Sequence, residues 1–155
     1  MARTTERMHP PASSEAVRRR METQARCDTG PEMALRQRLH AEGLRYRADH
    51  RPEPTVRRRA DIVFTRARVA VFVDGCFWHV CPQHGKIPKS NSAWWRDKLQ
   101  ANRLRDSDTN ARLTAAGWTV IRVWEHEEPD AAAKRVAEAV QEARWRDRGG
   151  SRLAR

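Results

Sequence analysis

Nowhere in the 155 residues is there an apolar run long enough to cross a bilayer. With a mean hydropathy of -0.89 and 33% charged residues, a membrane-embedded chain is untenable. The first thirty residues carry Arg3, Arg7 and the run Arg18, Arg19, Arg20 but no apolar h-region. No export signal is read there, and a cytoplasmic protein without membrane contact is expected. Cysteine is scarce and odd in number: three thiols in a chain with no export route argue against a disulfide framework, which leaves metal binding or free thiols. Internal repeats are absent as well. Acidic residues are in deficit, 20 against 31 Lys+Arg, for a net charge of +11 and a pI near 11.0. Lysine is nearly missing from that excess. Arginine's planar fork suits phosphates and base edges, so nucleic acid is the partner the composition favours, although a high-GC coding bias would also inflate arginine. The length predicts one compact domain.

Residues 1 to 28, with Pro10-Pro11, Ser13-Ser14 and no apolar periodicity before Val17 and Met21, read as a mobile basic arm. Residues 29 to 146 read as the domain and 147 to 155 as a disordered basic tail. Thr29-Gly-Pro-Glu32 has capping-box spacing and opens a short helix through Met33, Leu35 and Leu39 to Gly43. Leu44–Arg47 is a candidate strand, and His50–Arg59 a Pro-containing loop or irregular hairpin. Asp61–Thr65 and Val69–Asp74, joined by Arg66-Ala-Arg68, predict a central hairpin. Ser92 to Ala116 reads as a long helix with Trp95, Leu99, Asn102, Asp106 and Leu113 on one narrow face. Gly117 stops it, Thr119–Trp124 is a strand, and Asp130 starts a last helix. This order points to an α/β fold with a mixed sheet.

Cys76-x4-Cys81-x2-His84, with His126 just beyond the last strand, offers two thiolates and two imidazoles. Four such ligands make a closed tetrahedral zinc set, structural rather than catalytic. The alternative is buried reduced cysteines beside surface histidines. Cys27 is left over as a free thiol.

In the predicted hairpin a three-residue connection pairs Thr65 with Val69, so Asp61 faces Val73. One carboxylate and one main-chain carbonyl converge there, hard oxygen ligands that suit Mg2+. Asp74 would return to the same place if Gly75 turned the chain. His79 reaches that end as a general base, with Glu32 and Asp106 as supporting carboxylates. The plainer alternative makes Asp61 and Asp74 turn residues, Asp106 a surface ion-pair partner and Glu32 a cap. Phe77 and Trp78, in a loop beside these groups, are candidate wedges between base pairs, or rings packed under the loop. Met21 on the arm is a further apolar wedge or incidental. Lys89 and Asn91 have the donors for a phosphate clamp before the long helix, with Ser92 as its N-cap.

The run VFVDGCFWHVCPQHGKIPKSNSAWWRDKLQANRLRD, with the later GWTVIRVWEHE, resembles the very short patch repair (Vsr) DNA mismatch endonucleases over about Arg20 to Glu127. The resemblance implies a restriction-endonuclease-like (PD-(D/E)xK-type) three-layer core. It also implies nicking of one strand of double-stranded DNA beside the T of a T·G mismatch, the product of 5-methylcytosine deamination. Carried over, Asp61 and the main-chain oxygen of Val73 hold Mg2+, His79 is the catalytic histidine, and Glu32 and Asp106 support it. Cys76, Cys81, His84 and His126 hold zinc, and Met21, Phe77 and Trp78 intercalate. A monomer working at the nucleoid, with repair-pathway proteins as further partners, is expected. Two departures stand out: Ala60 precedes Asp61 where the wider superfamily often has proline, and Asp74-Gly75-Cys76 lacks the superfamily's lysine. The competing readings are a non-catalytic zinc-containing module for distorted duplex and a same-fold nuclease indifferent to mismatches.

Overall fold

The structure, a computed structural model, describes residue 11, residues 14–23 (backbone alone from 20) and residues 28–149. The side chain of Met21, all of Cys27 and the tail beyond residue 149 lie outside the described residues. In chain order the elements are α1 (Glu15–Thr23), α2 (Gly30–Ala41), β1 (Arg47–His50), β2 (Ala60–Phe64), β3 (Val69–Asp74), α3 (Ser92–Ala115), β4 (Thr119–Trp124) and α4 (Pro129–Asp147). No helix among the described residues is long and apolar enough to cross a membrane.

The four strands form one mixed sheet in the order β1-β2-β3-β4, antiparallel across the first three and parallel between β3 and β4. A parallel pair needs a long crossover, which α3 supplies. Helices flank both faces. On one, Leu35 and Leu39 of α2 and Val136 and Val140 of α4 pack on Ile62, Phe64, Val69 and Val71. On the other, Leu113 of α3, Trp118 and Val56 cover Ala60, Val63, Ala70 and Phe72. Because β3 is covered on both sides its sequence is apolar almost throughout. Each fully buried aliphatic side chain there contributes about 1.5–3 kcal/mol.

Residues 15–23 of the arm are helical: Ser14 Oγ accepts the Val17 N–H at 3.2 Å, and Glu15 pairs with Arg18 and Arg19, a local cap and local charges that support α1. Three expectations need correction. The strand expected at Leu44–Arg47 begins only at Arg47, because Leu44 turns its N–H back onto the Leu39 carbonyl (3.1 Å) and buries its side chain in ending α2. The β2–β3 loop holds four residues, with Arg68 left-handed at φ 55°, so Phe64 and not Thr65 pairs with Val69. Finally, α3 is preceded by Asn91 at φ 54° with no side-chain cap, and Ser92 is already helical. Gly117, at φ +87°, ends α3 by adopting the left-handed conformation that a side chain disfavours.

The antiparallel β2–β3 pair sets the start of β2 beside the end of β3, and the parallel β4 ends there too. Asp61, Asp74 and Trp124 therefore share one edge of the sheet.

Candidate active site

The β2–β3 ladder runs from Phe64↔Val69 to Ile62↔Val71 and stops. Beyond it, the Val73 N–H donates to Asp61 Oδ2 at 2.6 Å, a side chain standing where a strand neighbour would. Asp61 thus meets Val73, but by inserting its carboxylate rather than through the predicted pairing. From α2, Glu32 approaches the same carboxyl while its Oε2 accepts the Thr29 N–H at 3.0 Å in the capping box. Glu32 is only 3% exposed. Burial first, then the hydrogen bond to Glu32 and the negative fields of Glu32 and Asp74, push the Asp61 carboxyl up to about 8 against the lowering effect of the Val73 N–H. Crowded carboxylates of this kind hold a proton until a cation replaces it, and as hard oxygen donors they fit a divalent ion such as Mg2+. Arg36, buried beside them, lies 3.9 Å from Glu32 and reaches the Asp61 carbonyl at 3.5 Å, and its Nε has no partner.

A second group lies on the α3 side. Asp74 ends a regular strand paired with Trp124, so it reaches the site without the expected turn at Gly75, whose φ is not positive. His79 Nδ1 is hydrogen-bonded to Asp106 Oδ2, and its Nε2 lies 3.8 Å from Asp74 Oδ1. Burial alone would lower the His79 pKa; the Asp106 hydrogen bond and the charges of Asp74 and Asp106 outweigh it and raise the value. Asp74 is raised by burial and held back by Arg122 and His79. Asn102, on the same mixed face of α3, donates to the Trp78 carbonyl at 3.1 Å and ties the loop to the helix.

Residues 75 to 81 wind tightly, with the Cys81 N–H on the Cys76 carbonyl (2.9 Å) and the His79 N–H on Gly75 (3.1 Å). Between the histidine and the second cysteine, Val80 sits at φ 54°, a left-handed conformation that costs a β-branched residue about 1–3 kcal/mol. The loop closes where the Gly85 N–H meets the Cys81 carbonyl at 2.8 Å; a Cβ on Gly85 would lie 2.6 Å from that oxygen. Cys76 and Cys81, both buried, converge with His84 and His126. His84 Nδ1 and His126 Nδ1 are 3.3 Å apart, and the sulfur–nitrogen separations are 3.1, 3.7 and 3.8 Å. Tetrahedral zinc, with bonds of about 2.3 Å to sulfur and about 2.05 Å to nitrogen, requires about 3.3 Å between nitrogens and about 3.6 Å from sulfur to nitrogen. The donor set fits. Burial, the neighbouring Cys81 and the Glu125 carboxylate, which accepts the Cys76 N–H at 2.8 Å, push the Cys76 thiol up to about 11.

Phe77 and Trp78 are half-buried, edge to face with each other at 5.0 Å, and rest on the buried Trp95 of α3 at 5.2 and 5.9 Å. Lys89 and Asn91 are exposed just before α3. Sequence reasoning missed Arg122, Arg36, Glu125 and the Trp95 support. A charged residue inside the apolar β4 run was the available signal for Arg122, masked in a chain so rich in arginine.

A mixed sheet flanked by helices, with buried carboxylates beside a His–Asp pair at one end of the sheet and a charge of +11, is consistent with a nuclease fold. Residues 8–84 match the model of the family described as DNA mismatch endonuclease Vsr. The type II nicking enzyme V.NaeI of Lentzea aerocolonigenes is 49% identical over 133 residues, 84% of this chain and 80% of the relative. V.XorIIP of Xanthomonas oryzae pv. oryzae is 43% identical over 108 residues, 68% of this chain and 76% of the relative. The DNA mismatch endonuclease Vsr of Escherichia coli is 34% identical over 102 residues, 63% of this chain and 62% of the relative. The chain belongs to the Vsr family and is a DNA-cleaving hydrolase.

Proposed function

We propose that the chain is a Mg2+-dependent, zinc-stapled endonuclease of PD-(D/E)xK-type architecture that nicks one strand beside the T of a T·G mismatch, opening a short repair patch. The observation that carries this reading is the Asp61 carboxylate on the Val73 main chain, crowded by Glu32 and flanked by the His79–Asp106 pair. Asp61 and the Val73 carbonyl would hold the Mg2+, with Glu32 behind Asp61. Bound there, Mg2+ supplies Lewis-acid stabilisation of the charge that develops on the phosphoryl oxygens.

The chain's own groups do the rest. Asp106 accepts from His79 Nδ1–H and so fixes the tautomer, leaving Nε2 as the nitrogen that takes a proton from the attacking water. The Cys76, Cys81, His84, His126 staple holds Phe77, Trp78 and His79 as one rigid loop. Phe77 and Trp78, half-exposed and backed by Trp95, wedge into the duplex with Met21 from the arm, and Lys89 and Asn91 grip a phosphate before α3. The enzyme works as a monomer on nucleoid DNA in the cytoplasm, where repair-pathway proteins would take over the nick.

A nicking assay on matched, T·G and abasic duplexes, with Mg2+ present or chelated, tests the reading. One nick in the T-containing strand, seen only with Mg2+, is expected. Equal nicking of matched duplex would reject the mismatch part, and tight binding without any cleavage would make the protein a recognition module.

A further inference from the structure

The end of the sheet opposite Asp61 carries a basic trough that the nicking site does not use. Thr65, just past β2, stands about 13 Å from Asp61 at about 3.3 Å per residue. Arg47 opposes Val63, so β1 starts at this far end. Helix α4 begins just beyond the end of β4 and has run about 22 Å by Arg144. Arg45, Arg47, Arg66 and Arg144 line a cavity of about 380 Å3 there, with Tyr46 and Phe64 among its apolar walls. A second cavity, of about 290 Å3, shares Arg66 and Arg144 and adds Asp147 and Arg148. Phe64 is buried and meets Tyr46 edge to face at 6.0 Å, and the Tyr46 hydroxyl donates to the Arg36 carbonyl at 3.0 Å, which fixes the apolar wall. Arg45 Nη1 donates to the His40 and Leu44 carbonyls at 3.3 and 3.2 Å, which orients the rest of its fork. Among the described residues no carboxylate pairs with Arg45, Arg47, Arg66 or Arg144, whereas the exposed Arg59 and Arg112 each close on an aspartate at 3.0 Å.

We propose that this trough is a second DNA site, which takes the phosphodiester backbone of a duplex other than the one being nicked. The inference goes beyond the nicking reading above and needs no mismatch preference. Four unpaired guanidinium groups around one cavity repel one another, and an anion placed among them relieves that repulsion. Each planar fork matches two oxygens of one phosphate. Two adjoining cavities that share Arg66 and Arg144 suit successive phosphates of a strand better than one isolated ion. A duplex seated at the Asp61 end leaves this end of β2 and α4 free, so two duplexes are held at once. An enzyme with two such sites passes from one DNA segment to another without first becoming free, which shortens its search through an excess of competing sites.

Full-length, zinc-loaded protein mixed with two short matched duplexes that carry different dyes, with Mg2+ omitted, tests this. Energy transfer and sedimentation should show two duplexes on one chain. The second should weaken with salt at a log–log slope of about −3 to −4, about 0.9 for each of four phosphate contacts. R66E/R144E should hold one duplex, with its affinity for that duplex and its nicking of a short T·G duplex within about twofold of wild type. R45Q/R47Q should flatten the second-site slope by about 2, and it decides the matter if the first variant does not fold. A wild type that saturates at one duplex overturns the proposal, as does a folded R66E/R144E that still holds two. Loss of first-duplex affinity or of nicking in that variant also overturns it, because the arginines would then touch the substrate duplex itself. Poly-glutamate that displaces the second duplex more effectively than matched DNA of equal charge would assign the trough to an acidic protein segment and overturn the DNA site. A wild type that nicks nothing rejects the nicking reading, and the duplex count still decides this one.

Discussion

The Val73 N–H donates to Asp61 Oδ2 at 2.6 Å, beyond the point where the ladder between their strands ends. A carboxylate that takes over a strand hydrogen bond is held as rigidly as the sheet itself. The same insertion drives it into Glu32 and the field of Asp74, so a firmly positioned acid is also disfavoured in its charged form until a cation joins it.

Asp61→Asn should therefore separate stability from activity. The amide keeps an oxygen for the Val73 N–H and removes a carboxyl that burial and Glu32 disfavour in its charged form. Thermal unfolding of the metal-free protein near pH 8 should show the variant more stable by about 1–3 kcal/mol, while Mg2+-dependent nicking is lost. A destabilised variant that still nicks would make Asp61 a scaffold residue.

The sign of the pH dependence follows from the same group. With Asp61 near 8 in the folded chain and 3.8 as its reference value, the folded state holds the extra proton between those values. Its contribution to stability is complete below about pH 4 and is lost as pH rises towards 8. Mg2+ must displace that proton, so its affinity should rise by up to about tenfold per pH unit over the same window and level off near pH 8. The rise in Tm caused by Mg2+, measured at pH 6 and pH 8, should be larger at pH 8; equal rises would mean that Asp61 is already ionised.

Zinc should be present at one per chain by metal analysis. It would replace the Cys76 thiol proton, which burial, Cys81 and Glu125 otherwise hold tightly, and it would retain Val80 in its left-handed conformation. Cys81→Ala should lower Tm and release His79 from Asp106. An unchanged melting curve in a zinc-free variant would remove the staple from the account.

Much of this architecture is legible in the sequence because local chemistry and tertiary role coincide. The apolar runs at 61–65 and 69–74 form the hairpin, the mixed face of α3 does bring Asn102 and Asp106 to the 75–85 loop, and the two cysteines and two histidines meet. What was illegible depends on partners distant in the chain. Register turned on whether Thr65 belonged to the strand or to the loop, in which Arg68 is left-handed. Leu44 read as a strand residue because its apolar side chain carries no mark of helix termination. Arg122 is one arginine among many until the fold sets it against Asp74, 48 residues away.

Asp106→Asn probes the imidazole directly. An amide facing His79 Nδ1 removes the Asp106 share of what raises the His79 pKa and can present an N–H where an acceptor is needed, favouring the other tautomer. Single-turnover nicking should fall by about 10–100-fold with duplex affinity unchanged. Equal losses in binding and cleavage would place Asp106 in DNA contact instead.

The last prediction concerns how the mismatch is found. A T·G wobble pairs and stacks less well than a Watson–Crick pair, so prising it open takes less of the few kcal/mol that unstacking a step requires, and a wedge turns that difference into selectivity. Phe77 and Trp78 are placed for this: half-buried, on the loop that carries His79, and braced against Trp95, Phe77 edge to face and Trp78 tilted, the burial of Trp95 supplying a rigid backing. Replacing both with Ala should bring T·G cleavage down towards the matched duplex, while the salt dependence of binding, set by arginine contacts to phosphate, changes little. Zinc content and Tm measured on the same variant separate a lost wedge from a collapsed loop. A double variant that stays folded and zinc-loaded with its T·G preference intact would move discrimination to hydrogen bonds with the wobble pair, and Lys89 and Asn91, exposed before α3, become the residues whose substitution should then abolish it.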